Sequence, residues 1–171
     1  MPAAASAPLT EPGKEKERKP MFTRILVPID GSATSQLALA EATELARLTG
    51  GTIVLLHIVD AMDHINGFER PSVHINDVRP RFLKVGQELL DAARAGLDAL
   101  KVAVETVLVE SEGDRVSEIV AKHATSLSAD VIVLGTHGRR GVDRFLIGSD
   151  AEQVARIAPV PVMLVRAPRP A

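Results

Sequence analysis

Ala129-Asp-Val-Ile-Val-Leu-Gly135, continued by Thr136-His-Gly138-Arg-Arg-Gly141-Val-Asp-Arg-Phe-Leu-Ile-Gly148-Ser149, decides the fold. The first part is apolar on both faces, as a parallel strand lying under helices on both sides must be. The second part crowds glycines at the strand's carboxyl end. Without a Cβ, backbone N–H groups approach and point at an anion, and a helix starting at Ser149 adds unpaired donors and its positive dipole end. The segment is thus expected to cradle phosphate. Arg139, Arg140 and Arg144 are near enough to screen charge, and at most one is expected to face inward. His137 lies inside the loop and is expected to border a nucleotide there. No Gly-Lys-Ser/Thr follows the glycines, so this is not a Walker loop. Nor does the spacing of its first two glycines, late in the chain, match the dinucleotide fingerprint.

Upstream, Arg24-Ile-Leu-Val-Pro-Ile-Asp30 is a short apolar run closed by Asp30-Gly31-Ser32, a turn and helix-start signal. A helix follows over about Thr34 to Leu48 and stops at Gly50-Gly51, where a C-terminal glycine belongs. Thr52 to Val59 reads as a second strand buried on both faces, with His57 inside it. The stretch Asp60 to Pro80 has no sustained period and reads as a flap or a partly helical connection. Phe82, Val85, Leu89, Ala93, Leu97 and Leu100 then recur at helical spacing, despite Gly86 and Gly96. Val102 to Glu110 is a less apolar strand, suited to a sheet edge. Asp114 is the expected N-cap of a helix from about Arg115 to Leu127. A last helix, Ser149 to Ile157, precedes the strand Val160 to Arg166, with Ser149 and Glu152 forming an expected capping box. Strands alternating with helices in this way build a single doubly wound parallel α/β sheet of five strands, helices on both faces. Ligands of such sheets sit beyond the carboxyl ends of the strands, where strand order reverses.

Gly135-x-x-Gly138, nine residues, then Gly148-Ser149 resembles the nucleotide motif of the universal stress protein family. The resemblance extends to Val27-Pro-Ile-Asp-Gly-Ser32, to Ala129 through Gly135, and to Ala158-Pro-Val-Pro-Val-Met-Leu-Val165. It covers residues 22–167, leaving an arm at 1–21, read as disordered, and a tail at 168–171. It implies strand order 3-2-1-4-5, an adenine nucleotide between the ends of strands one and four, and homodimers through the last strand, Val160 to Val165. The nucleotide would be ATP, with Mg2+ or as ADP or AMP in other states. Asp30 would bond the adenosine, the backbone of Pro28 and Ile29 would border the base, and a residue near Val59 would pack on adenine. Gly138, Gly148 and Ser149 would hold phosphates, with Arg139 beside them. Asp150 departs from the family pattern. A carboxylate there either caps the helix dipole or faces the phosphates and repels them.

Composition limits the alternatives. With 171 residues, 46% hydrophobic and 25% charged, the chain fills one core. A net charge of -2 and the absence of Trp and Tyr argue against nucleic-acid binding. No apolar run approaches the roughly 20 residues of a membrane span, and no signal peptide is read. The lack of cysteine excludes thiolate chemistry and suits the cytoplasm. His64 and His74, with Asp63, Glu69 and Asp77, lack tight metal-ligand spacing, so no metal site is expected. Neither Ser149 nor His137 has an identified catalytic partner; no catalytic residue is assigned, and any ATP hydrolysis is expected to be slow. The Pro159 and Pro161 pair favours an edge for the last strand, yet its apolar faces ask for cover, by a second copy or by the chain's own termini.

Overall fold

The computed structural model describes residues 21–60, 79–111, 113–136 and 148–167. Its elements run β1 (Arg24–Pro28), α1 (Ala33–Thr49), β2 (Thr52–Asp60), α2 (Arg79–Ala99), β3 (Ala103–Ser111), α3 (Val116–Ser126), β4 (Val131–Gly135), α4 (Ser149–Ile157) and β5 (Val162–Val165). The strands form one sheet in the order β3-β2-β1-β4-β5, with every described pairing parallel. The expected doubly wound sheet is thus the observed one, with the less apolar third strand at one edge and the last strand at the other.

The strand pleat explains both layers. Ile25, Val27, Ile53, Leu55, Val131 and Val133 point to one face and pack with α1 and α2 residues such as Ala38, Ala42, Leu90 and Leu97. Their alternates Leu26, Val54, Leu56, Ile132 and Leu134 point to the other, against Val120 and Ala124 of α3 and Ala151 and Val154 of α4. Burying an aliphatic side chain of this kind is worth about 1.5–3 kcal/mol, and both faces of the central strands are filled. That is why these strands read as unbroken apolar runs.

Helix ends only partly follow expectation. Ser32 caps α1, its side chain accepting from the Ser35 N–H, and Gly50 closes the helix at φ 67°. The expected cap at Asp114 is not formed: the N-cap is Arg115, in extended backbone and without a side-chain bond. The reason lies in the preceding turn, where the buried Ser111 hydroxyl donates to the Asp114 carbonyl at 3.0 Å and fixes the chain one residue longer. The expected capping box at Ser149 is also absent. Gly148 takes the N-cap position at φ −61°, ψ 149°, which makes Ser149 the first helical residue. Glu152 pairs instead with Arg156 one turn on, at 2.8 Å. In α2 the buried stripe is Gly86, Leu90 and Leu97, so Val85 and Leu100, expected on the buried face, are exposed.

Candidate functional site

Strand order reverses between β1 and β4, since the chain builds outward from β1 through β2 to β3 and then crosses to β4. Their carboxyl ends therefore part to leave a crevice. On one side, Ile29 continues β1, its N–H donating to the Leu56 carbonyl at 2.8 Å. Asp30 then turns the chain: its Oδ1 accepts the Ser32 N–H at 2.9 Å, an Asx turn, and Gly31 takes φ 81°, which only glycine adopts without strain. The Ser32 hydroxyl lies 3.2 Å from that of Thr34 and accepts the Ser35 N–H. The turn thus delivers Asp30 and the start of α1 to the crevice.

On the other side stands Gly135, the last residue of β4. A Cβ there would lie 2.7–2.9 Å from the backbone and side chain of Thr34, so the glycine lets β4 touch the first turn of α1. Beyond it the buried Thr136 gathers the chain. Its N–H donates to the Val165 carbonyl of β5 at 2.9 Å, and its carbonyl accepts the Gly148 N–H at 2.8 Å. Residues 136 and 148, the two ends of the glycine loop, are therefore tied together at the carboxyl end of β4. Immediately after that tie, α4 begins. Glu152 is the first of its residues whose N–H reaches a helical carbonyl, that of Gly148 at 3.0 Å. Among the described residues the N–H groups of Ser149, Asp150 and Ala151 have no partner of that kind, and the N-cap Gly148 makes no side-chain cap bond. With α1 opening nearby, the crevice lies at the positive ends of two helices, an arrangement that favours an anionic ligand.

The structure brings Pro28, Ile29, Asp30, Gly135, Gly148, Ser149 and Asp150 to this carboxyl end. Ile29 is buried; Ser149 and Asp150 are exposed in the first turn of α4. Val59 is on the same sheet end, on β2, where its side chain is buried next to Gly86 of α2. His137, Gly138 and Arg139 lie outside the described residues, as do Arg140, Arg144 and the histidines and carboxylates of 61–78 considered for a metal. Among the described residues no group of three possible metal ligands occurs, and no helix is long and apolar enough to cross a membrane.

Sequence reasoning missed Thr136, Thr34 and His57 as parts of this end of the molecule. A polar residue between a buried strand and a glycine loop was the available signal for Thr136. Thr34 and His57 matter through contacts distant in sequence. The His57 ring is buried, and its Nδ1 lies 2.7 Å from the Ile29 carbonyl oxygen. On the β3 flank, Glu110 receives both fork N–H groups of Arg79 at 2.6 Å, which joins the start of α2 to the end of β3.

A parallel α/β domain with an anion-favouring crevice at its switch point is the class of protein that this fold and site define. Comparison with known proteins narrows the class: the chain belongs to the universal stress protein family, whose model matches residues 21–166. It is 31% identical over 150 residues to a universal stress protein of Methanocaldococcus jannaschii, covering 87% of this chain and 85% of that one. A Bacillus subtilis universal stress protein is 30% identical, with 85% of this chain and all of that one (100%) covered. Among solved structures, a universal stress protein family member from Burkholderia pseudomallei superposes with a TM-score of 0.70 at 33% identity, covering 88% of this chain and 100% of that one. The fold is also shared, at 20% identity and TM-score 0.62, by a universal stress protein in complex with cAMP, covering 86% of this chain and 99% of that one. It is shared again, at 23% identity and TM-score 0.58, by the Archaeoglobus fulgidus protein in complex with dAMP, covering 85% of this chain and 99% of that one.

Proposed function

We propose that this protein binds an adenine nucleotide, ATP with Mg2+ in the first instance, in the crevice between β1 and β4, and acts as a cytoplasmic stress-response regulator. The observation that carries the reading is the start of α4, where the N-cap Gly148 makes no side-chain cap bond and is held at the carboxyl end of β4 by its bond to Thr136. Backbone donors beside an apolar strand end suit a ligand with phosphate at one end and a flat base at the other. The cAMP and dAMP complexes of two relatives of the same fold support an adenine nucleotide over other anions.

In this reading the backbone of Pro28 and Ile29 borders the base, with Val59 behind it, and Asp30 bonds the adenosine. Gly135 admits the ligand, Gly138, Gly148 and Ser149 hold phosphates, and His137 and Arg139 flank them. The domain takes residues 22–167, with arm and tail outside it. β5 pairs with β4 on one side and has no second strand partner among the described residues. The outer edge of that strand, together with the exposed Met163, supports a homodimer through Val160 to Val165. Neither nucleic acid nor membrane is a partner in this reading. ATP turnover is at most slow, and turnover at ordinary kinase rates would overturn that part.

A second reading, a dimeric interaction module without triphosphate binding, is favoured by Asp150, whose charge sits in the exposed first turn of α4. Protein purified without added nucleotide, denatured and analysed by ion exchange decides between them. Near-stoichiometric ATP, ADP or AMP supports the first; no nucleotide, and no binding of added millimolar MgATP, supports the second.

A further inference from the structure

We propose that His57 is a positioning residue of the nucleotide crevice: its imidazole holds the peptide between Ile29 and Asp30 in the orientation that ligand binding uses. This rests on the nucleotide reading above. A carbonyl oxygen only accepts hydrogen bonds, so the 2.7 Å contact between His57 Nδ1 and the Ile29 oxygen places the ring hydrogen on Nδ1. The ring is 4% exposed, so water does not compete for that bond.

The bond has a location that an ordinary core histidine lacks. Pairing of β1 with β2 ends at Pro28, and the Ile29 N–H adds one last backbone bond to Leu56. The Ile29 carbonyl, one atom group further on, is taken by a side chain. Because C=O and N–H of a trans peptide are antiparallel, an Ile29 carbonyl turned to His57 on β2 turns the Asp30 N–H away from β2, toward β4. The imidazole thus sets the first peptide of the turn that carries Asp30.

The helix above is shaped for this ring. A Cβ at Gly86 would lie 2.7 Å from His57 Cδ2, 2.9 Å from Leu108 Cδ1 and 3.0 Å from Val59 Cγ2. Glycine inside a helix costs about 1 kcal/mol relative to alanine, and close packing on the imidazole, Leu108 and Val59 accounts for it here. Leu89 of the same helix sits over Gly31, with a Cβ at that position 3.5 Å from its Cδ1. Helix α2 therefore contacts both the holder and the turn that is held.

The test compares wild type, His57→Leu and His57→Asn, whose amide nitrogen reproduces a donor near Nδ1. MgATP affinity is measured by titration calorimetry and backbone amide exchange of Asp30 to Ser32 is followed in nucleotide-free protein. Losing one hydrogen bond of this kind corresponds to about tenfold in affinity. Expected are about tenfold weaker binding and faster exchange in His57→Leu, both largely restored in His57→Asn. Unchanged affinity in His57→Leu overturns the proposal while leaving the nucleotide reading intact. A wild type that binds no nucleotide overturns the functional reading and, with it, any role of His57 in binding. Should His57→Leu fail to fold, Gly86→Ala displaces the ring without removing it, and unaltered affinity and exchange there overturn the proposal equally.

Discussion

The two ends of the sheet are built by different means. At the amino end, charge holds the strands: Asp130 Oδ2 accepts the Thr23 N–H at 2.9 Å, the Thr23 hydroxyl at 2.9 Å and the Arg24 N–H at 3.0 Å. Arg24 in turn forks onto Glu105 of β3 at 2.9 and 2.7 Å, so one cluster spans from β4 to the far edge strand. At the carboxyl end, β1 and β4 are joined by no ion pair among the described residues. There the chain is held by backbone bonds, an Asx turn, a buried imidazole and close glycine contacts. Side-chain charge joins the strands at the first end, whereas at the second the first N–H groups of α4 have no helical carbonyl partner. In the proposed reading, one end serves stability and the other a ligand.

Mutations should separate the two ends. Asp130→Ala removes a charged acceptor from three donors and is expected to cost about 2–3 kcal/mol of stability. Chemical denaturation measures it, and MgATP affinity should be unchanged; a parallel loss of affinity would break the division. Gly135→Ala, at the opposite end, forces β4 and Thr34 apart. It is expected to cost about 1–3 kcal/mol by overpacking and, unlike Asp130→Ala, to weaken nucleotide binding as well.

The Arg24–Glu105 pair gives a smaller effect with a defined pH sense. The hydrogen bond from Arg24 holds the Glu105 carboxyl below its usual range. A group whose folded pKa is depressed contributes stability above its unfolded pKa, and that contribution is lost as pH falls through the folded value. The pair is half-exposed and screened by solvent, so Glu105→Gln should cost under about 1 kcal/mol near neutrality, less in high salt, and nothing in strong acid. A loss that persists unchanged at low pH would show that shape, rather than charge, is what Glu105 supplies. Asp150→Asn should be smaller still in stability. It removes a dipole-favoured charge worth a few tenths of a kcal/mol while raising MgATP affinity severalfold if the carboxylate faces the phosphates.

The comparison also explains what was legible in the sequence. Both-face-apolar strands such as Ile53 to Leu56 announce a parallel sheet because burial on two sides leaves no polar alternation, and Gly50 and Ser32 announce helix ends by local backbone chemistry. The turn after β1 was readable for the same reason, since Asp30 bonds the Ser32 N–H two residues on and Gly31 takes its positive φ between them. The amino-end cluster was not. Asp130 meets Thr23 across 107 residues and Arg24 meets Glu105 across 81, and no local pattern records such partners. The errors at Asp114 and Ser149 share this cause. Both residues have cap chemistry, but Ser111 and Thr136, bonded from outside each helix, decide which residue occupies the cap. Gly86 interrupts its helix for a reason distant in sequence, since a Cβ there would meet His57 and Val59 of β2 and Leu108 of β3.

The proposed division of labour has the carboxyl end take an adenine nucleotide and the amino end contribute nothing to it. Calorimetric titration of MgATP into nucleotide-stripped wild type, with Asp130→Ala and Gly135→Ala alongside, tests it directly. Wild type should bind near-stoichiometrically, with binding retained in Asp130→Ala and weakened in Gly135→Ala. Absence of binding to wild type at millimolar MgATP, or equal weakening by both substitutions, would contradict it.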